Sequence, residues 1–156
     1  MGKRKLILGA VIGAIAIVLI VLGVMSRPGA DSTEKKQEIA ADFLADYFRW
    51  DVSRGQELMK SGEQGYTDRW GAYLTERAIE ELLENREPVK YDLLYGTGGN
   101  VQVQAVKCEF DDNGNCAFSL DIVIGESGAQ ESRTGIKGQL LFTEDNRIDT
   151  MNYEIE

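Results

Sequence analysis

Residues 89–110 read VKYDLLYGTGGNVQVQAVKCEF, and within this stretch the hydrophobic period changes from helical to alternating. Before it, apolar residues recur three and four positions apart, as they do on amphipathic helices. After it, apolar and polar residues alternate, as they do in strands that bury one face. Helices followed by strands predict an α+β domain, in which helices pack on one face of a curved antiparallel sheet.

Three helices are predicted before the change of period. The second begins at Ser53 and ends near Gly62, and the third begins after Thr75 and ends before Pro88. Because residues 62–71 contain three glycines, we expect this segment to be irregular. The first helix carries an apolar stripe made of Ile39, Ala40, Phe43, Leu44, Tyr47 and Phe48.

The alternating part predicts a meander of four to five strands that ends near Ile155. The first strand is predicted to begin at Val89. Apolar residues change parity near Ala105, which indicates a β-bulge. Asp112, Asn113 and Gly114 predict a hairpin turn.

A long apolar segment precedes the domain. Residues 6–25 are uncharged, and at about 1.5 Å per residue a helix of this length spans roughly 30 Å, the thickness of a bilayer's hydrocarbon core. A cleaved signal peptide is the alternative, but the apolar region of a signal peptide is normally shorter than residues 6–25. We therefore predict a tail at 1–5, a transmembrane helix at 6–25, a linker at 26–31 and an outer domain at 32–156.

Basic residues predict the orientation of this membrane protein. Lys3, Arg4 and Lys5 precede the span, whereas Arg27 is the one basic residue close behind it. The positive-inside rule then places the N-terminus in the cytoplasm and the domain outside the cell membrane. Gly9 and Gly13 form a pair of small residues that would allow another membrane helix to pack closely.

Charge and composition exclude several functions. The chain has no histidine, which excludes Ser-His-Asp and Cys-His catalysis and histidine-ligated metals. After the first thirty residues it has 13 Lys and Arg against 26 Asp and Glu, a balance that would repel nucleic acid. The sequence DDNGN at 111–115 lacks the glycine and glutamate spacing of a calcium loop. We therefore expect no metal and no cofactor.

Catalysis is a weaker hypothesis than binding. Tyr91, Tyr95, Tyr153, Asp92 and Asp121 could supply an acid or a base to a pocket, but no recognisable spacing pairs them. By strand alternation, both aspartates point towards solvent. We therefore predict that the protein is not an enzyme.

Cys108 and Cys116 flank the predicted hairpin turn. Outside the cytoplasm they would meet an oxidising environment, in which disulfides form. Neither a two-residue nor a three-residue turn places them directly opposite each other, so a bridge requires a diagonal geometry or a longer loop. The sequence leaves open whether the two are bridged.

Two aromatic segments, ADFLADYFRWD at 41–51 and WGAYLT at 70–75, lie within the predicted helical part. Together with three helices that lead into an antiparallel meander, they resemble the nuclear transport factor two-like cone fold. A membrane anchor joined to an outer domain of this fold resembles the inner-membrane scaffold subunit of type IV secretion systems. In Gram-positive bacteria, its counterpart is the TcpC-type protein of conjugative transposons.

The resemblance implies a non-enzymatic component of a conjugative DNA-transfer channel, which acts by contact with other channel subunits or with further copies of itself. Trp50, Trp70 and Tyr73 are then the candidate partner contacts, although aromatic residues at helical spacing usually belong to the core. TcpC-type proteins often carry two such domains, whereas this chain has room for one. The alternative is an extracellular module of the same fold that binds or senses a small ligand.

Overall fold

Three helices and an antiparallel sheet form the structure, a computed structural model that describes residues 18–19, 30–91, 99–125 and 131–156. Strands β2 to β5 follow one another as an antiparallel meander, and the two-residue β1 lies parallel to β2. The predicted α+β class is therefore confirmed. In chain order the elements are β1 (Val18–Leu19), α1 (Ala30–Tyr47), α2 (Val52–Trp70), α3 (Glu76–Glu84), β2 (Asn100–Phe110), β3 (Cys116–Gly125), β4 (Ser132–Phe142) and β5 (Ile148–Ile155).

The predicted bulge in β2 is confirmed. Pairing with β3 shifts by one residue between Val103 and Ala105, which leaves Gln104 as the extra residue. Val101 and Val103 are buried before the shift, and Val106 and Cys108 are buried after it. The bulge therefore keeps the apolar side chains of both halves of the strand on the core face.

Aromatic packing joins α1 to the sheet. The ring of Phe48 lies 6.3 Å from that of Phe118 on β3 and 5.2 Å from that of Tyr153 on β5. Tyr47 packs beside Phe48, with ring centroids 5.0 Å apart. Large aromatic side chains each bury about 150–250 Å², so this group accounts for much of the core between helices and sheet.

The glycine-containing segment after Ser61 is helical, so the prediction of irregular structure at 62–71 is wrong. α2 bends at Gly62, where φ is 54° and ψ is −141°, a conformation that glycine adopts because it has no Cβ. Beyond the bend Tyr66 and Trp70 are buried, with ring centroids 5.4 Å apart. Burial of these two rings outweighs the helix propensity that each glycine lacks, about 1 kcal/mol relative to alanine.

A second correction concerns the start of the predicted meander, because residues 89–91 are helical rather than extended. The amide of Lys90 donates to the carbonyl of Arg86 at 3.1 Å, and that of Tyr91 donates to Pro88 at 2.8 Å. The remainder of the predicted first strand, residues 92–95, lies outside the described residues. Alternation over so few positions does not distinguish a strand from a helical turn.

Most of the predicted membrane segment also lies outside the described residues, as do Gly9 and Gly13. Val18–Leu19 is described as β1, paired with Ala105 and Val106 of β2. α1 begins at Ala30 and so includes the last two residues of the predicted linker. Within the described ranges, no helix has the length and apolar character needed to cross a membrane.

Candidate functional site

The turn after α3 positions an acidic side chain, Glu87, beside β5. The amide of Glu87 donates to the carbonyl of Leu82 at 2.8 Å, and the amide of Arg86 donates to that of Leu83 at 3.1 Å. This pair of bonds is a Schellman motif, and Arg86 takes the left-handed conformation (φ 54°) that the motif requires after the helix. The motif reverses the chain, which brings Glu87 back towards the sheet.

Two tyrosine hydroxyls hold one oxygen of the Glu87 carboxylate. Oε2 accepts a hydrogen bond from Tyr47 of α1 at 2.9 Å and another from Tyr153 of β5 at 2.7 Å. The ring of Tyr91 stacks on that of Tyr153, with centroids 6.3 Å apart. Glu87 therefore joins a helix, a strand and the turn between them.

Both tyrosines bind their protons tightly. Burial, followed by the electrostatic effect of Tyr153 and then that of Glu87, raises the pKa of Tyr47 well above its usual value. Burial is also the largest cause that raises the pKa of Tyr153, and the hydrogen bond to Glu87 adds to it. At neutral pH both hydroxyls are therefore fixed hydrogen-bond donors to the carboxylate.

The other oxygen of Glu87 is held more loosely. Oε1 lies 3.7 Å from Nζ of Lys90, an ion pair at the long end of the range. The Glu87 side chain is 18% exposed, whereas that of Lys90 is 56% exposed. Oε1 thus faces a flexible, solvated cation rather than a fixed partner.

Glu87 and Lys90 line a cavity of about 540 Å³ between α3 and β5. This volume is within the range of pockets that hold drug-sized molecules. The wall combines apolar and polar side chains, and its titratable groups other than tyrosine are Glu81, Glu87 and Lys90. The apolar side chains that line it are Phe43, Leu74, Ala78, Leu82, Ile148, Met151 and Ile155.

The other end of α3 is tied firmly to β5. The N-cap residue Thr75 donates from its hydroxyl to Asp149 at 2.8 Å, and its amide donates to the carbonyl of Ile148 at 2.9 Å. Arg77 donates to both carboxylate oxygens of Asp149, at 3.2 and 2.6 Å, and to the hydroxyl of Thr150 at 2.7 Å. The cavity extends from this fixed end, where Leu74, Ala78 and Ile148 line it, to Glu87 and Lys90 past the other end of the helix.

A second polar cluster links α1 to α2. Oδ2 of Asp46 accepts hydrogen bonds from Arg54 at 2.6 Å, from Trp70 at 3.0 Å and from Arg69 at 3.3 Å. The Arg54 side chain is 4% exposed, and its Nε and Nη1 have no hydrogen-bond partner. Burial lowers the pKa of Arg54, although Asp46 opposes this shift. The cluster is an internal tie that contributes to stability.

The candidate partner contacts lie mostly in the core. Trp50 and Trp70 are buried, and Trp50 exchanges two backbone hydrogen bonds with Val101 of β2, at 2.9 and 2.8 Å. Gly55 allows the Trp50 ring to lie against α2, because a Cβ there would be 2.7 Å from the ring. Tyr73 is half-buried. Of the three, Tyr73 alone keeps substantial surface for a partner.

The residues considered for acid–base chemistry separate in the structure. Tyr91 and Tyr153 meet near Glu87, whereas Asp121 is exposed on β3, as alternation predicts. Asp92 and Tyr95 lie outside the described residues. The structure thus brings together two of the tyrosines, with a carboxylate that the sequence analysis did not select.

Cys108 and Cys116 are free and buried, and they lie on the same face of the hairpin. Cys108 pairs with Phe118 and Cys116 pairs with Phe110, so the cysteines are diagonal neighbours. A hydrogen bond between the thiols lowers the pKa of Cys108 and raises that of Cys116, which burial also raises. The two thiols are therefore neighbours on the core face of the hairpin.

Sequence reasoning missed Glu87 for a clear reason. It follows the acidic face of α3, where glutamates such as Glu81 and Glu84 are solvated, and its position before Pro88 is the one local feature that distinguishes it. Its partners are 40 and 66 residues away in the chain. No spacing rule connects residues so far apart.

Among the described residues, no three His, Cys, Asp or Glu side chains converge as metal ligands would. Comparison with protein-family models, with curated proteins and with solved structures finds no match to this chain. The function proposed below therefore rests on the site and on the predicted membrane segment.

Proposed function

We propose that the domain is a non-enzymatic binding module that holds a small amphipathic molecule between α3 and β5. The observation that carries this proposal is the cavity of about 540 Å³, whose wall combines apolar side chains with polar ones and with the fixed carboxylate of Glu87. Pockets that combine apolar walls with a few oriented polar groups are typical of ligand sites. The apolar wall supplies affinity and the carboxylate supplies orientation.

The polar groups at the cavity favour binding over catalysis. The pKa values of Tyr47 and Tyr153 are raised away from neutrality, so these hydroxyls exchange protons poorly at physiological pH. Both hydroxyls are also engaged by Glu87. A group that is fully occupied as a donor is suited to positioning a carboxylate.

We further propose that residues 6–25 anchor this module in the cell membrane, with the domain outside. The length and apolar character of the segment support the anchor, and the three basic residues before it support the orientation. Insertion requires that Val18–Leu19 leave β2, which costs the pairing of two residues. Transfer of about twenty apolar residues into lipid outweighs that loss.

Methionine NMR on the full chain in lipid nanodiscs tests the ligand site. Met151 lines the cavity, whereas Met59 is 70% exposed on α2. With methyl-¹³C methionine in this chain, titration of 1-naphthylmethanol should shift the Met151 resonance saturably. The expected dissociation constant is on the order of 1 mM or tighter for a ligand of this size. The Met59 resonance should not move.

Two matched variants check that the shift reports the cavity. Ala78→Leu adds volume inside the cavity and should weaken binding at least about tenfold, because the apolar contacts are displaced. Ala117→Leu adds the same volume on the exposed face of β3 and should bind as the unchanged chain does. A Met151 resonance that stays fixed in the unchanged chain contradicts the proposal.

The second candidate is the assembly role predicted from the sequence, in which the domain docks on subunits of a conjugative type IV secretion channel. The exposed edge of the sheet at β5 favours this assembly role. In the described part of the chain, β5 is the last strand of the meander, and Ile148 alone pairs across its outer side, with Leu74. An exposed strand edge of this kind can accept a strand from another protein or from a second copy.

Purification of the full chain from detergent-solubilised membranes of its host tests the assembly role. The expected result is recovery of the coupling ATPase and other identified channel subunits. Recovery of a lone, monodisperse protein contradicts this role and leaves the ligand-binding proposal standing.

A further inference from the structure

We propose that the cavity between α3 and β5 selects organic cations: molecules with an apolar body and one ammonium group, which pairs with Oε1 of Glu87 in place of Lys90. This inference rests on the proposed ligand site and specifies the chemistry of its ligand. Four observations support it: the fixation of the carboxylate, the weak hold of its present partner, the charge of the cavity wall and its aromatic lining.

Fixation of Glu87 makes it a directional site for a positive charge. The hydroxyls of Tyr47 and Tyr153 both donate to Oε2, at 2.9 and 2.7 Å, and so restrain the carboxylate from two sides. Oε1 keeps lone pairs for a further donor. A charged donor forms a stronger hydrogen bond with a carboxylate than a neutral donor does. Because the Glu87 carboxylate is already restrained, it loses little conformational entropy when the ligand binds.

Lys90 is a partner that a ligand can replace. Its Nζ lies 3.7 Å from Oε1, longer than a charged hydrogen bond of about 2.7–2.9 Å, and its side chain is 56% exposed. Exposed ion pairs of this kind contribute at most about 1 kcal/mol. On displacement, the ammonium group of Lys90 returns to water at little cost.

The cavity wall has a net negative charge when its tyrosines are protonated, because Glu81 and Glu87 face a single Lys90. Because Glu81 is paired with Arg77, Glu87 accounts for most of the attraction of a cation and most of the repulsion of an anion. Phe43 and Tyr153 also line the cavity, and aromatic rings attract ammonium groups. The acidic outer domain adds a long-range attraction for cations.

Three probes of one shape separate charge from apolar contact: 1-naphthylmethylammonium, 1-naphthylmethanol and 1-naphthoate. Each is titrated against the full chain in nanodiscs of uncharged lipid, with the Met151 methyl resonance as the readout. We expect the ammonium to bind at least about tenfold more tightly than the alcohol, and the carboxylate to bind most weakly. Raised salt should reduce the preference for the ammonium.

Three variants assign the preference to Glu87. Glu87→Gln removes the charge and should make the ammonium bind no more tightly than the alcohol. Glu81→Gln removes an exposed carboxylate that also lines the cavity but pairs with Arg77 at 3.6 Å, and it should keep most of the preference. Lys90→Gln removes the competing cation and should tighten ammonium binding about two- to fivefold, a gain that misfolding cannot produce.

The outcomes distinguish this inference from the function on which it rests. If the alcohol binds as tightly as the ammonium, the cation inference is wrong and the ligand site stands. If none of the three probes shifts Met151, both are wrong. If Glu87→Gln keeps the full preference for the ammonium, Glu87 is not the selecting group and the inference is overturned.

Discussion

Replacement of Asp46 by asparagine should destabilise the domain strongly, although Asp46 does not line the cavity. One oxygen of this carboxylate accepts from Arg54, Arg69 and Trp70. The guanidinium of Arg54 is 4% exposed and already has two unpartnered nitrogens. Asp46→Asn therefore leaves a buried cation without a counter-charge.

The magnitude follows from the burial of the two partners. Loss of one partner from a fully buried ion pair costs about 3–5 kcal/mol. Asp46 is itself 30% exposed, so water replaces part of the lost interaction. We therefore expect the free energy of unfolding to fall by about 2–3 kcal/mol, out of the 5–15 kcal/mol that is typical of a domain.

Urea unfolding of the full chain in nanodiscs measures this loss, because the fluorescence of the buried Trp50 and Trp70 reports the core. With a slope of roughly 1.5 kcal/mol per molar urea, the midpoint should fall by about 1.3–2 M. Asp68→Asn is the matched control. Asp68 accepts one exposed hydrogen bond, from Gln64, and its loss should cost less than about 0.5 kcal/mol.

A double-mutant cycle identifies the cause. Arg54→Met removes the buried cation, so Asp46→Asn should cost much less in that background, with a coupling energy of at least about 1.5 kcal/mol. If Asp46→Asn costs under 0.5 kcal/mol, or costs the same with and without Arg54, the account of this cluster is refuted.

Three further predictions follow from the fold. Mild oxidation with diamide should join Cys108 to Cys116 within one chain, which lowers the mass by about 2 Da. The new disulfide closes a nine-residue segment and should raise the free energy of unfolding by up to about 2.5 kcal/mol. Persistence of both free thiols would contradict the proximity of the pair. The pKa of Tyr47 is raised in the folded protein, so its protonated hydroxyl contributes to the free energy of unfolding. That contribution is complete below about pH 10 and is lost as pH rises through the raised value, by about 1.4 kcal/mol per pH unit. Tyr47→Phe should therefore flatten the decline of the unfolding free energy at alkaline pH. Gly138→Ala should lower the melting temperature by several degrees, since its Cβ would lie 2.2 Å from the carbonyl oxygen of Asn152 and 2.6 Å from the ring of Phe118; an unchanged melting temperature would show that the strand yields freely.

Local patterns predicted the strands from Asn100 onwards well, but they predicted the glycine-containing helix and the helical turn at residues 89–91 badly. The bulge at Gln104 was predictable because the side-chain period of a strand is two, so a single extra residue changes the parity of all that follow. The second half of α2 was not predictable, because glycine lowers the local helix propensity and the contact that compensates for it is a tertiary one. That contact is the burial of Tyr66 against Trp70, which no local rule includes.

The candidate site was only partly predictable for a related reason. Tyr91 and Tyr153 could be selected as polar aromatic residues in or near strands, but their convergence depends on how α3 and β5 meet. By sequence, Glu87 continues the acidic, solvated face of α3, whereas in the structure it lines the cavity. The chain reversal at Arg86 is what places Glu87 in the cavity wall. Arg86 takes a left-handed backbone conformation although it is not glycine, and the sequence gives no sign of this.

The asymmetric attachment of α3 sets how the cavity can adapt to molecules of different size. Thr75 and Arg77 fasten one end of the helix to β5, and the nine-residue helix extends about 13 Å from there. A tilt of about 10° around that fastening moves the Glu87 end by about 2 Å, which leaves the β4–β5 ladder intact but stretches the hydrogen bonds from Tyr47 and Tyr153 to Glu87. Bulkier guests therefore require no remodelling of the sheet, but admitting them costs the two bonds that orient the carboxylate.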